Sequence, residues 1–311
     1  MNLEKPQNET SLESDILSRI GNTPLIPLRK ISRDFPGVTL LAKAEWFNPG
    51  GSVKDRAAAN IVATAEQKGL LTPDRVLLDA TSGNTGVAFA MIGAAKGYRV
   101  KLCVPANASP EILKTLKAFG AELVLTSPLE SSDGAIREAR RLAAENPQLY
   151  FYADQYNNPA NWQAHYKMTA QEIWDQTEGP TTHFVAGLGT SGTFMGTGRR
   201  LKEFNPSIQL VAVQPHSPIH GLEGLKHMAT SIVPGIYDSS LVDLNGEVKT
   251  EEAYHQVKRL AAEEGLLVGI SGGAALEAGC RIARRVKNGI VVMIFPDGGS
   301  RYLDEEFWKQ S

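Results

Sequence analysis

The stretch Phe47-Asn48-Pro49-Gly50-Gly51-Ser52-Val53-Lys54-Asp55-Arg56 sets a lysine directly behind a turn. Ala58, Ile61, Val62 and Ala65 then recur at helical spacing. The spacing predicts a helix from Asp55 to Lys68, with Lys54 at or just before its N-terminus. A charged lysine gains nothing there, because the positive end of the helix dipole repels it. A lysine that gives up its charge by forming a Schiff base escapes that repulsion, and covalent amine catalysis is an established use of the residue. The ordinary alternative is a solvated surface lysine. Two preceding glycines and a fixed turn argue against it, since they allow close backbone approach. A nucleotide P-loop is excluded: Val53 precedes the lysine and Asp55 follows it.

Three further loops carry candidate chemistry, each placed where a strand gives way to a helix. Thr81-Ser82-Gly83-Asn84-Thr85-Gly86 combines hydroxyls, an amide and helix-start N–H groups into an anion cradle. It holds no lysine or arginine, so a carboxylate suits it as well as a phosphate. Gly187-Leu188-Gly189-Thr190-Ser191-Gly192-Thr193 has the geometry for a phosphate and matches the dinucleotide pattern of spaced glycines. That pattern expects an acid at the end of the next strand, where this chain has Val213-Gln214-Pro215. The nucleotide half of the reading is lost and the phosphate half survives. Gly269-Ile270-Ser271-Gly272-Gly273 opens another helix. Ser271 is either an N-cap or a hydroxyl that meets a heterocyclic nitrogen. A Schiff-base lysine, a phosphate cup and a separate carboxylate cup together suggest pyridoxal phosphate acting on an amino acid.

The elements that must position these loops alternate regularly between strand and helix from Val76 to Phe295. That rhythm implies an α/β fold with parallel sheets covered by helices, with ligands at the carboxyl ends of the strands. Pro159 to Gln176 reads as one long helix, and Ser217 to Val242 as an irregular candidate binding region. The chain has 311 residues, 42% hydrophobic and 21% charged, with a formal net charge of −2. This balance supports a sizeable core and removes the electrostatic case for nucleic-acid or membrane-surface partners. No apolar run is long enough to span a bilayer. Met1 to Ser14 is polar and acidic and reads as a loose tail without a targeting signal. Cys103 and Cys280 sit in apolar runs and fit two buried, reduced thiols of a cytoplasmic protein. No His/Cys cluster has metal-ligand spacing.

Asn-Pro-Gly-Gly-Ser-Val-Lys-Asp-Arg, Thr-Ser-Gly-Asn-Thr-Gly and Gly-Leu-Gly-Thr-Ser-Gly-Thr, in this order, resemble the fold-type II pyridoxal phosphate enzymes of the cysteine synthase and cystathionine β-synthase group. The resemblance runs from about Ile20 to Leu303. Asp154-Gln155-Tyr156-Asn157-Asn158-Pro159, Thr182 to Val185, Val233 to Ile236, and Asp297 before Arg301-Tyr302-Leu303 are similar to the cysteine synthase B branch.

The resemblance implies roles residue by residue. Lys54 would carry the cofactor and serve as the catalytic base. Asn84 would bond its ring hydroxyl. Gly189, Thr190, Ser191, Gly192 and Thr193 would bind its phosphate, and Ser271 would face the pyridine nitrogen without holding it protonated. Thr81, Ser82, Thr85 and Gln155 would hold a substrate carboxylate. Lys226, with His227, would favour a charged donor such as O-phosphoserine or thiosulfate; the plainer reading is a solvated Lys–His pair. The implied reaction is β-replacement, making L-cysteine from O-acetylserine or O-phosphoserine and sulfide or thiosulfate. Cystathionine β-synthase or serine/threonine dehydratase activity is the alternative within the family. A nucleotide-binding oxidoreductase is the alternative outside it. The implied architecture is a large cofactor domain (15–56 and 159–311) with a smaller mobile substrate domain (57–158) inserted, in a homodimer.

Departures from the family pattern include Ser271-Gly272-Gly273, Lys167-Met168-Thr169-Ala170-Gln171 in place of a Thr-Thr-Gly-Pro segment, and Lys226 where the cysteine synthase B branch tends to carry an arginine.

Overall fold

Near-continuous apolar runs are what strands need when both faces of a parallel sheet are covered. Gly-Ile-Val-Val-Met-Ile-Phe at 289–295 and Val-Leu-Leu-Asp-Ala at 76–80 are such runs, and each lies at the centre of a separate sheet. The computed structural model describes residues 15–309, so the segment 1–14 lies outside the described residues.

The larger sheet has six strands in the order β1 (Leu25–Pro27), β2 (Val38–Ala44), β10 (Gly289–Phe295), β7 (His183–Gly187), β8 (Gln209–Pro215), β9 (Leu244–Val248). Every pairing is parallel except β1 with β2, which is antiparallel. The smaller sheet is wholly parallel, in the order β5 (Glu122–Thr126), β4 (Arg99–Pro105), β3 (Val76–Ala80), β6 (Tyr150–Tyr152).

Helices cover both sheets: α1 (Lys54–Gln67), α2 (Asn84–Lys96), α3 (Pro110–Ala118), α4 (Ser131–Glu145), α5 (Pro159–Ala164), α6 (Ala170–Gln176), α7 (Gly192–Phe204), α8 (Thr250–Arg259) and α9 (Ile270–Ala283). Phe184, Phe194 and Phe295 are wholly buried in the larger unit, and Phe89 and Leu77 in the smaller. Each such side chain stabilises the fold by about 1.5–3 kcal/mol relative to exposure.

The expected α/β class and parallel sheets are present. Several details differ from the sequence reading. β1 is antiparallel and only three residues long, too short for a periodic signal. β9, Leu-Asn-Gly-Glu-Val, is an edge strand whose first four residues are not buried, so it carries no apolar run. α2 begins at Asn84, inside the loop read as Thr81 to Gly86. The helix expected over 159–176 is continuous, but a π turn at His165–Thr169 separates α5 from α6.

Candidate active site

A cleft of about 440 Å³ opens where β3, β4, β7 and β10 end. Lys54 faces it from the first position of α1. The lysine loop is stitched to the loop after β10: Val53 N donates to Pro296 O at 2.8 Å, and Ser52 bridges Asp297. Asp55 closes the turn by accepting from Gly50 N at 2.6 Å. Burial pushes the Asp55 carboxyl up to about 7.

Behind the loop, Arg56 is fully buried and clamped by two carboxylates. Its Nε lies 2.7 Å from Glu45 Oε2 and its Nη1 2.6 Å from Glu172 Oε1. Glu172 also meets Lys43 Nζ at 2.6 Å. This network ties α1 to β2 and α6 and fixes where Lys54 stands. At Lys54 itself, desolvation favours the neutral amine, while the charges of Asp297, Glu45 and Asp55 oppose it. A neutral amine is the form that can act as nucleophile or base.

The loop after β7 forms a cup. Ser191 takes a left-handed φ of 67° at the N-cap of α7, and its buried Oγ has no hydrogen-bond partner among the described residues. A buried hydroxyl left unpaired in a concave backbone nest is a place for an anion. Asn161 Nδ2 donates to Thr190 Oγ1 at 3.0 Å, and Thr193 Oγ1 lies 3.3 Å from His165 Nε2. The glycines are forced by contact. A Cβ on Gly189 would stand 2.3 Å from Gly224 O, and one on Gly192 would stand 1.9 Å from Asn161 Oδ1. All the candidate residues line the cleft except Gly192, which starts α7 just behind Ser191, and His227.

On the opposite wall, Thr81 Oγ1 accepts from Gly83 N at 3.1 Å and Gly86 N at 3.0 Å. Thr85 Oγ1 donates to Gln155 Oε1 at 2.8 Å, and Gln155 Nε2 donates to Ala80 O at 2.7 Å. These three side chains hold the loop in shape, and Ser82 is exposed to the cleft. Ser271 is buried in the first turn of α9, whose N-cap is Gly269, so the simple N-cap role does not apply to it. Lys226 is not solvated: its side chain is 8% exposed and pairs with Asp133. His227 bonds Thr230 instead of joining it.

Sequence reasoning gave no role to Asp297. Its Oδ2 accepts from Asn84 Nδ2 and from Tyr302 OH, both at 2.7 Å. Its Oδ1 is buried without a partner among the described residues. Burial raises its carboxyl, against the hydrogen bonds of Tyr302 and Asn84 and the charge of Lys54. Arg301 donates to Asn84 Oδ1 and to Gly50 O, so the Asn84 amide is engaged on both sides. The rule that ligands gather at strand ends would have flagged Asp297, two residues past β10. Gln214 stands near the end of β8, where a dinucleotide site needs its acid, and accepts from Met228 N at 3.2 Å. The oxidoreductase reading has no ribose ligand there.

The family described as pyridoxal-phosphate dependent enzyme matches residues 16–297. The chain belongs to that family. Among pyridoxal-phosphate-dependent relatives, it is 53% identical to a cysteine synthase of Aquifex aeolicus, over 93% of this chain and 90% of that protein. It is 43% identical to cysteine synthase B of Pseudomonas aeruginosa, over 91% of this chain and 94% of that one. The crystal structure of a cysteine synthase from Entamoeba histolytica superposes with a TM-score of 0.92 at 36% identity, covering 100% of this chain and 94% of that one.

The residues present fit pyridoxal phosphate. The unpaired Ser191 hydroxyl and the close-packed glycines suit its phosphate, and Lys54, half-buried in the cleft with its amine pushed toward the neutral form by desolvation, suits its aldehyde.

Proposed function

We propose that this enzyme makes L-cysteine by β-replacement on O-acetylserine or O-phosphoserine, with sulfide or thiosulfate as sulfur donor. One observation carries the reading: the Lys54 amine, the unpaired Ser191 hydroxyl and the exposed Ser82 hydroxyl share one cleft. The likeness to cysteine synthases over nearly the whole chain supports it.

When bound, pyridoxal phosphate withdraws electron density from the Cα of an attached amino acid. The protein supplies the rest. Gly189, Thr190, Ser191, Gly192 and Thr193 would hold the phosphate, Asn84 the ring hydroxyl through the second N–H of its amide, and Ser271 would face the ring nitrogen. Ser82 and the N–H groups opening α2 receive the substrate carboxylate, in a loop shaped by Thr81, Thr85 and Gln155. Lys54 Nζ would hold the cofactor at rest; once replaced there by the substrate's own amine, the freed Lys54 amine would take the proton from Cα and return it after sulfur has replaced the leaving group at Cβ. Desolvation of Lys54 keeps its amine available as the base. Lys226 meets an anionic donor.

The test is a spectral titration of the purified enzyme. O-acetylserine or O-phosphoserine should shift the visible band of the cofactor, and sulfide or thiosulfate should restore it with release of cysteine. Lys54→Ala should abolish both borohydride trapping and turnover. No spectral change with either donor, together with turnover of serine and homocysteine, would overturn the reading in favour of cystathionine synthesis.

The same reading extends to organisation. Residues 57–158, which carry the smaller sheet, form the mobile substrate domain, and 15–56 with 159–311 the cofactor domain. The chain is read as a homodimer, to be checked by sedimentation. Cys103 and Cys280 are buried and unpaired, and burial pushes both thiols up to about 12, which supports residence in the reducing cytoplasm. Among the described residues no helix is long and apolar enough to cross a membrane.

A further inference from the structure

His165 is fully buried in the π turn between α5 and α6, and both of its ring nitrogens face threonine hydroxyls. Nδ1 is 2.9 Å from Thr169 Oγ1, and Nε2 is 3.3 Å from Thr193 Oγ1. Burial, with the charge of Arg56 and against those of Glu45 and Glu172, holds the ring neutral. A neutral imidazole donates from one nitrogen and accepts at the other.

Two arrangements are therefore available. If Nδ1–H donated to Thr169, the Thr169 proton would need another acceptor; Thr169 is wholly buried and has no other side-chain hydrogen bond among the described residues. If Thr169 donates to Nδ1 instead, Nε2–H donates to Thr193, and the Thr193 proton is left for the cleft that this residue lines. The second arrangement leaves no buried hydroxyl proton unpaired, which is the decisive difference.

Asn161, four residues earlier on the same helix face, repeats the device. Its Nδ2 donates to Gln155 O at 2.7 Å and to Thr190 Oγ1 at 3.0 Å, so the Thr190 proton is also turned outward.

We propose that His165, relaying from Thr169, is a positioning residue that fixes the Thr193 hydroxyl as a hydrogen-bond donor to the cofactor phosphate. Asn161 does the same for Thr190. The proposal rests on the reading of 187–193 as the phosphate cup. The helix running through the π turn thereby converts two hydroxyls, either of which could donate or accept, into dedicated donors matched to an acceptor-only anion. No basic side chain is needed in the loop, and it has none.

The test uses the full-length holoenzyme labelled with ¹⁵N-histidine, with the His165 signals assigned by their loss in His165→Gln. The expected tautomer carries its proton on Nε2; a proton on Nδ1 overturns the relay. Affinity for pyridoxal phosphate and the ³¹P resonance of the bound cofactor give a second readout. His165→Phe should weaken binding roughly tenfold, the size of one hydrogen bond, and move the resonance. His165→Gln, whose amide nitrogen takes the place of Nε2, should rescue both. Thr193→Val separates the two ideas. If it changes neither affinity nor resonance, the phosphate cup is wrong and the relay falls with it. If it weakens binding while His165→Phe does not, the cup stands and the relay alone is overturned. Should His165→Phe fail to fold, the tautomer of the unaltered enzyme decides.

Discussion

Lys226 Nζ stands 3.1 Å from Asp133 Oδ1 and 5.1 Å from the centre of the Tyr156 ring. This contact joins the irregular loop beyond β8 to α4, which packs on the smaller sheet, so it spans the cleft from one sheet's unit to the other's. An anionic substrate group would compete with Asp133 for the ammonium. Lys226→Ala is expected to lower kcat/KM for O-phosphoserine or thiosulfate by roughly 10- to 100-fold, the scale of a hydrogen bond to a charged group. Turnover of O-acetylserine with sulfide should change little. Asp133→Asn should move the preference the other way. Equal kinetics with every donor in both variants would reduce the pair to a structural cross-link.

Glu172 is the common counter-ion of Lys43 and Arg56. Glu172→Ala leaves two buried cations short of a partner and should destabilise the fold by about 3–5 kcal/mol in urea denaturation. The pH dependence follows from the same contacts. Burial alone would raise this carboxyl, but the hydrogen bonds and charge of Arg56, with Lys43, bring it down to about 2. Its contribution is complete above about 4.5 and is lost as pH falls from there toward about 2. Glu172→Gln should flatten that part of the acid-unfolding curve.

His165 acts at milder acidity. Burial lowers it from 6.5 to about 3. Between those values the unfolded chain binds a proton that the folded chain refuses, so stability falls as pH falls. The slope is about 1.4 kcal/mol per pH unit for one such group. From pH 7 to 5 the native protein should therefore lose about 2 kcal/mol more than His165→Gln does. Denaturant midpoints at the two pH values measure this, and parallel losses would show that His165 titrates normally.

Gly192→Ala would drive a methyl group to within 1.9 Å of Asn161 Oδ1. Asn161 must then leave Thr190, and the cup loses a fixed donor. Affinity for pyridoxal phosphate, read by absorbance titration of the apoenzyme, should fall roughly tenfold. Thermal unfolding of the apoenzyme distinguishes this from general damage to α7.

Chemistry that depends on local backbone was legible in the sequence. Lys54 after a Gly-Gly turn, and Ser191 and Ser271 at helix starts, announce themselves by residue type and spacing, because a turn and a helix N-terminus are made within a few residues. Lys226 came only with the resemblance to a family. Groups that matter through tertiary contact left no such trace. Asp297 shows only its place just past a strand end, in a Pro-Asp-Gly-Gly turn, until β10 brings it against Asn84 and Tyr302. Arg56 and Glu172 are 116 residues apart in the chain, and nothing in either neighbourhood names the other. The helix over 159–176 was readable as a helix, but its π turn was not, since the apolar pattern continues through it.

That π turn has a consequence for the chain's tolerance of change. One residue more than an α-helical turn requires rotates everything beyond it by about 100° relative to everything before it. Ahead of the turn, Asn161 addresses the cup after β7; beyond it, Glu172 addresses the arginine behind the lysine loop. A single rod thus serves two directions, and the phase between them is set by the hydrogen bonding of that turn instead of residue identity. Substitutions along the exposed side of this helix are easily absorbed. Winding 165–169 as regular α-helix at its present length would swing Glu172 away from Arg56 and separate the two halves of the site without removing any side chain that touches a ligand, whereas deleting the extra residue as the turn closes would keep Asn161 and Glu172 in phase.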